Sequence, residues 1–473
     1  MSALRRLLSP PTGLRGRLAA LAPDPDRPPP GPFRPGFWRS PLRSTRLTSI
    51  LGLVLLIGLP VVAVTGLFSN DAYQPGLGPN ALGRDIHGPL DIYLFGWPSG
   101  PSWLYALSQG AHVTLGLALF PVVLAKLWSV IPKLFEWPPV RSPAHALERL
   151  TLAFLVGGAL FEFVTGILNI QYWYAFKFDF PQAHYYGGWV FIGALVAHIS
   201  IKFPTMRANL RARETVLAAG AGAGGHADGV PIAVATDATA IPSDAAPAAT
   251  CPMPFGAAHD GLSSPNPRPE SMSRRALLGS VGVASGILFL QGLGQSAGGP
   301  LRALAFLLPR GATRPGPLGF PVNRTWALAK LKPSQVSDGN YRLTITGART
   351  VKLTRSQLLA MPQYTHELTI GCVEGWSTTQ HWTGVRMRDL ATLAGSRVGH
   401  VAATSVSLEH GTYGQATLGH EQVTDERTLL ALAVNGQTLS LDHGYPARVI
   451  APAIPGVHCT KWVTEIHFGE EAA

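Results

Sequence analysis

Charge is scarce in this chain. Lys, Arg, Asp and Glu make up 14% of its 473 residues, against about 25% in an average soluble protein. Apolar residues reach 46% and are concentrated in the first half. That balance excludes one large soluble core and points to membrane segments. Cysteine is scarcer still: Cys251, Cys372 and Cys459 are the whole supply, too few for a disulfide framework, and their spacing supports no individual bond. The aromatic interleaving used by single-strand binders is also missing. Nine arginines fall within residues 1–46, opposed only by Asp24 and Asp26. Without stacking platforms, the net charge of +11 reads as a set of topology signals around apolar spans and not as nucleic-acid binding.

What is present divides the chain. Residues 1–46, rich in Pro and Arg and without apolar periodicity, read as a disordered cytoplasmic tail. Four apolar segments come next, at about 47–68, 104–130, 150–170 and 184–203, each near the ~20 residues that cross a bilayer. They define a transmembrane four-helix domain over 47–205. Lys126, Lys133, Arg141 and Arg149 follow the second span, and Lys202, Arg207, Arg211 and Arg213 close the fourth. The other two connections hold only Arg84 and Lys177. Both ends of the unit are therefore expected in the cytoplasm. Residues 206–270, dominated by Ala, Gly, Pro, Ser and Asp, read as a flexible linker, with Cys251 a free thiol inside it.

Residues 271–299 begin SMSRRALLGSVG and continue as a moderately apolar run. This segment resembles a twin-arginine export signal placed internally; the alternative is a fifth span with a basic inner flank. Either reading places the C-terminal region outside the cytoplasm. From 315 to 473 the pattern becomes mixed α+β. YRLTITG (341–347) alternates as a strand, ELTIGCV (367–373) reads as another, MRDLATLAG (387–395) as a helix stopped by Gly395, and Asn435-Gly436 as a hairpin turn.

Histidine inside a membrane helix is costly and marks function. His112 lies in span two, and His184 and His198 lie in span four. Fourteen residues separate the latter two, about 40° around the helix and ~21 Å along it. The arrangement resembles the stacked axial ligands of dihaem b-type cytochromes. Depth relative to Lys126 and Lys202 pairs His112 with His184 on the outer side and His145 with His198 on the inner side. A single haem held by His112 and His198 is the rival, and His87 is a further ligand candidate. Residues 47–205 as a whole resemble bacterial membrane cytochrome b subunits of quinol-linked enzymes, which implies one or two haem b groups and a quinol or quinone partner.

The stretch GCVEGWS (371–377) places Cys372 between a strand and a turn. By spacing alone it is a nucleophile or a soft metal ligand, with His366 and His381 available as bases. Taken with WTGVRMRDLATLAG and AVNGQTLSLDHGYPARVIAPAIPGVHCTKWVTEIHF, it resembles the sulfite oxidase-type molybdopterin domain. The resemblance covers about 320–470. It implies that Cys372 ligates molybdenum and that His443, Gly444, Pro446, Arg448, Gly456, Lys461 and Trp462 match the cofactor-binding elements. Arg448, Lys461 and His443 would serve the pterin phosphate, the glycines would let backbone N–H groups approach it, and Cys459 would lie buried beside the pocket. Cys-Val-Glu-Gly-Trp-Ser is most similar to the periplasmic methionine-sulfoxide reductase catalytic subunit. It lacks the arginine that sulfite oxidases carry soon after the cysteine, and Glu374 is placed to deliver a proton near the metal.

The expectation is a fused bacterial membrane enzyme. Electrons would pass from quinol through haem to an extracytoplasmic molybdenum centre that reduces a small or protein-bound S- or N-oxide. A sulfite or sulfur-compound dehydrogenase feeding quinone reverses the flow, and a haem-bearing sensor or assembly module without catalysis is a third possibility.

Overall fold

Serine oxygens open three of the long helices. Ser44 accepts the N–H of Leu47 at 3.2 Å, Ser142 that of His145 at 3.1 Å and Ser273 that of Ala276 at 3.1 Å. Each satisfies a donor that the first helical turn leaves unpaired. The computed structural model describes residues 27–73, 95–171, 173, 175–178, 180–222, 262, 267–269, 271–310, 316–397, 401–411 and 413–470. His87 and Cys251 lie outside the described residues, as do residues 1–26 of the expected tail and most of the expected linker. Five long helices are α1 (Thr45–Asp71), α2 (Leu104–Leu134), α3 (Pro143–Ile170), α4 (Phe180–Gly222) and α5 (Arg274–Ala297). By length and composition all five can cross a membrane, α4 through its Phe180–Ala208 portion. The helix α4 continues through 206–222, which composition alone assigned to the linker; Arg, Leu, Ala and Glu there are good helix formers.

The chain divides into two compact units whose boundary cuts the long helices. One comprises Met1–Leu53, Ala125–Leu152 and Ala197–Leu277; the other comprises Val54–Leu124, Ala153–Val196 and Leu278–Ala473. In the first, the basic residues read from sequence as topology markers also satisfy helix ends. Arg149 donates to the carbonyls of Lys133 and Leu134, capping α2 where its last acceptors are unpaired. Lys126 donates to Thr48 O at 2.6 Å, and Arg43 donates to Trp128 O at 3.1 Å while lying 4.4 Å from the centre of that indole ring. Arg274, the first of the two adjacent arginines, donates to Pro41 O and Leu42 O. His145 accepts the backbone N–H of Arg141 on Nδ1 at 3.2 Å, and His198 is half-buried.

In the second unit, Leu59, Leu119, Val123, Phe163 and Phe191 pack α1–α4 together. The helix α5 packs on α2 by close approach of small residues, the device membrane helices use for tight contact. A side chain at Gly292 would meet the Cα of Thr114 at 2.8 Å, and one at Gly110 would strike Ser296. On the other side of α5, Gly279, Gly282 and Gly286 face open space.

The C-terminal part carries two five-stranded sheets. One has the order β2 (Thr350–Leu353), β1 (Leu343–Thr346), β10 (Val463–Glu470), β5 (Val401–Ser407), β6 (Gln415–Leu418). The other runs β3 (Tyr364–Gly371), β4 (Ser377–Arg386), β7 (Leu429–Val434), β8 (Gln437–Thr438), with β9 (Arg448–Ile450) also on β7. All these pairings are antiparallel except β1 with β10. Short helices α6 (Arg355–Ala360), α7 (Met387–Leu393) and α8 (His420–Thr424) complete this α+β region. Alternation puts Leu343 and Ile345 of β1 fully inside, where Trp382, Leu430, Val449 and Ile466 join one core; each such side chain contributes about 1.5–3 kcal/mol by burial. Asn435 and Gly436 take φ of 51° and 73°, the left-handed pair of a tight hairpin turn. The strand expected over 367–373 begins earlier and ends at Gly371, because Cys372 opens the hairpin loop to β4.

The close contact of α5 makes a direct prediction. Gly292→Leu should lower the unfolding temperature of the detergent-solubilised protein, since overpacking costs about 1–3 kcal/mol, while Gly279→Leu on the open side should not. Equal behaviour of the two variants would contradict this packing.

Candidate active site

Five residues link β3 to β4. Gly371 pairs with Ser377 across the ladder, so Cys372 to Trp376 form the hairpin loop. Cys372 N–H donates to Trp376 O and Gly375 N–H donates to Cys372 O, both at 2.9 Å, with Gly375 at φ +88°. The loop therefore folds back on itself and buries Cys372 to 6% exposure.

Around that thiol the structure gathers side chains far apart in sequence. A pocket opens beside it. Its lining includes Cys372, Thr378, His443, Arg448, Gly456 and Lys461. Phe320 to Asn323, from the segment before β1, form another wall. Sequence reasoning did not single out that segment or Thr378; neither carries a chemical signature.

Three positive or protonatable groups here lack an acidic partner of their own. Lys461 donates its ammonium protons to two carbonyls, Arg324 O at 2.7 Å and Asp442 O at 2.8 Å. Burial, with the Arg448 charge adding, holds it well below its ordinary pKa. Burial likewise lowers Arg448, whose Nε has no partner. Burial first, then Arg448 and Lys461, push His443 down to about 3. Its Nδ1 lies 2.8 Å from Ser440 Oγ, while its Nε2 is buried and unpartnered. Such a cluster suits an anion with several acceptor oxygens. Burial raises the Cys372 thiol well above its usual range, and the Glu374 carboxylate adds to the rise. A thiol so placed stays protonated unless a metal displaces its proton.

The two glycines act differently from the expectation. Gly444 N–H donates to Leu441 O at 3.2 Å and Gly456 N–H to Gly371 O at 2.7 Å, so neither donor is left for a ligand. Gly444, at φ +104°, instead lets the stems of Arg448 and Lys461 close on it, since a Cβ there would lie 3.1 Å from each. Gly456 draws the chain against the end of β3, where Pro455 bridges to Gly371. Glu374 is buried to 6%. Its Oε2 accepts from Trp376 Nε1 at 2.7 Å, and its side chain hydrogen-bonds to Cys372. Trp462 is almost fully buried and donates to Leu441 O; Cys459 is a buried free thiol beside Arg448.

Residues 330–473 match the family model of the oxidoreductase molybdopterin binding domain. This region is a molybdopterin-binding oxidoreductase domain. The chain is 28% identical over 194 residues to the mitochondrial sulfite oxidase of Mus musculus, covering 35% of this chain and 34% of that one. It is 28% identical over 165 residues to the NADH nitrate reductase of Ulva prolifera, covering 28% and 19%. The uncharacterized oxidoreductase YuiH of Bacillus subtilis is 34% identical over 123 residues, covering 25% and 59%. The chain thus spans less than two thirds of each relative's length. Among solved structures, the sulfane dehydrogenase SoxCD of Paracoccus pantotrophus is 24% identical and covers 29% of this chain and 40% of that one, with a TM-score of 0.27. Within this region the buried basic groups and thiol fit an anionic dithiolene cofactor.

A second cavity lies among the membrane-type helices of the same unit. It opens among α1, α2, α3 and α4 and is lined mostly by apolar side chains. His112 and His184 both line it, with ring centres 6.1 Å apart and planes at 90°. His112 Nδ1 lies 2.9 Å from Val62 O, and His184 Nδ1 lies 2.9 Å from Glu162 Oε2. Each ring is thus anchored through Nδ1. His145 and His198 fall in the other compact unit.

His458, overlooked at the sequence level because a lone histidine carries no pattern, is fully buried with both ring nitrogens unpartnered. Burial pushes it down from 6.5 to about 3, so the fold requires the neutral ring. A folded pKa below the unfolded one gives stability that is full above pH 6.5 and is lost as pH falls towards 3. The unfolding temperature should drop across that window, and His458→Leu should reduce the drop. An unchanged acid profile in the variant would contradict this account.

Proposed function

We propose that the protein is a membrane-bound molybdenum oxidoreductase that exchanges electrons between quinol, haem b and an extracytoplasmic molybdopterin centre, in the direction of S- or N-oxide reduction. The observation that carries the reading is that consecutive residues of one loop line the two cavities: Val373 lines the histidine cavity and the adjoining Cys372 lines the pterin pocket. A quinol-linked enzyme needs a one-electron carrier in the membrane close to the site of oxygen-atom chemistry. Five helices long and apolar enough to span a bilayer, and the basic residues at one end of them, support the membrane placement and the sidedness.

His112 and His184 would hold the haem. Both rings line the same cavity with their centres 6.1 Å apart, so the two imidazoles are near enough to serve one metal, and the haem would supply that metal. Val62 O and Glu162 fix the ring orientations from behind, as partners of metal-bound histidine do. His145 and His198 are proposed for a second haem on depth alone. In the pterin pocket Arg448, Lys461 and His443 would bind the cofactor's anionic groups, and Cys372 would ligate molybdenum. When bound, that cofactor supplies oxygen-atom transfer and the haem supplies single electrons. Glu374, hydrogen-bonded to Cys372 and buried, is placed to hold the proton that a departing oxide requires. Around α5, the packing of Gly292 on Thr114 and the bonds of Arg274 favour a retained fifth span over a removed signal.

The sulfite direction draws support from the sulfite oxidases among the relatives. Against it, the strongest charge acting on the thiol is the Glu374 carboxylate, with Arg310 acting more weakly in the opposite sense. A sulfite dianion meets repulsion there that a neutral oxide does not.

Cys372→Ser should abolish substrate turnover and leave the haem spectrum intact. His112→Leu should remove haem absorbance and quinol-driven turnover while sparing molybdenum content and dye-driven turnover. Purified protein with haem but no molybdenum would instead favour a non-catalytic sensor or assembly role.

A further inference from the structure

The loop that carries Cys372 rests on one face of α2. Tyr105, Gln109 and Val113 recur at four-residue spacing and lie on that face. Gly371 and Gly375 bracket the cysteine, and each lacks a side chain where α2 comes closest. A Cβ at Gly371 would lie 3.0 Å from Tyr105 and Ala106, and one at Gly375 would lie 2.7 Å from Val113. Between these contacts the buried Gln109 donates through Nε2 to Val373 O at 2.6 Å. From α5, the buried Gln295 donates to the next carbonyl, Glu374 O, at 2.7 Å. A five-residue loop thus has two consecutive carbonyls held by amides from two membrane-type helices. Gln109 sits one helical turn before His112 on the same helix.

We propose that Gln109 is a positioning residue that holds Val373 in the lining of the histidine cavity, directly after the Cys372 that lines the pterin pocket, so that electrons cross between the two sites through the Cys372–Val373 peptide. The inference rests on the functional reading above and deepens it. Each crossing moves one electron: the donor side is oxidised by one, the acceptor side reduced by one, and no bond forms or breaks. A buried carbonyl deprived of its donor is destabilised, so loss of the Gln109 amide frees the loop to leave α2, and Val373 with it. The Gln295 bond holds the neighbouring peptide, outside the cavity, and so has a smaller part in the crossing.

The test compares wild type with Gln109→Met, which keeps volume and removes the donor, and with Gln295→Met. The first readout is hydrogen exchange of residues 371–377 in the full-length protein without molybdopterin. The second is the stopped-flow rate of haem reoxidation by methionine sulfoxide after dithionite reduction, or of haem reduction by sulfite, divided by dye-driven turnover of the same preparation. Gln109→Met should speed exchange and lower that ratio several-fold, and Gln295→Met should speed exchange with a smaller fall. Unchanged exchange in Gln109→Met overturns the clamp. Faster exchange with an unchanged ratio, or an equal fall in Gln295→Met, overturns the bridge. Wild-type haem silent to both substrates overturns the functional reading, while exchange still judges the clamp. If Gln109→Met does not accumulate, Gln109→Asn, one methylene too short to reach, should show the same pattern.

Discussion

A buried cluster of Arg448, Lys461 and His443, with no carboxylate in ion-pair contact with it among the described residues and set against a buried thiol, is the constraint on which the C-terminal domain depends. Arg448 and Lys461 come from opposite ends of the β9–β10 connection, and Gly444 brings their stems together. Ordinary folding would neutralise them with a carboxylate. Asp442 is close in sequence, yet its Oδ1 accepts the Trp326 N–H, and Lys461 receives only carbonyl oxygens. Buried charge left this way is costly unless a ligand supplies the missing sign. The domain thus holds its binding energy for an anion in reserve, and the depressed basicity of Lys461 and His443 is the mark of that reserve.

The cysteine is held by a separate set of interactions. A short hairpin loop, its own backbone bonds, the Gly371–Pro455 bridge and the face of α2 fix Cys372 between the two cavities. Helices of membrane type and the α+β region therefore share one structural unit. The helix that carries His112 lies against the cysteine loop, through Tyr105, Ala106, Gln109 and Val113.

Much of this was legible in the sequence where chemistry-bearing residues sit in tight motifs. Cys372, His443, Arg448 and Lys461 were chosen from the sequence and share one pocket, while His112 and His184, chosen by depth along two spans, share another. The rest depended on contacts between distant segments. Nothing in the residues around Gln109 announces a bond to Val373, 264 positions away. The wall from Phe320 to Asn323 is ordinary chain until folding places it over the cysteine. Gly456 lines the pocket, whereas the space beside Gly444 is taken by the stems of Arg448 and Lys461; a sequence shows where a side chain is missing but not which neighbour fills the space. The hairpin turn at Asn435-Gly436 was readable because local backbone preference alone decides it.

The most direct measurement of the central claim is thermal unfolding of wild type and Lys461→Met, each prepared with and without molybdopterin. Replacing the ammonium by a thioether of similar reach removes an uncompensated charge from the empty site and a partner of the anion from the loaded one. The variant is predicted to unfold at a higher temperature than wild type without cofactor and at a lower temperature with it. A shift of the same sign in both states would contradict a site built around a missing negative charge.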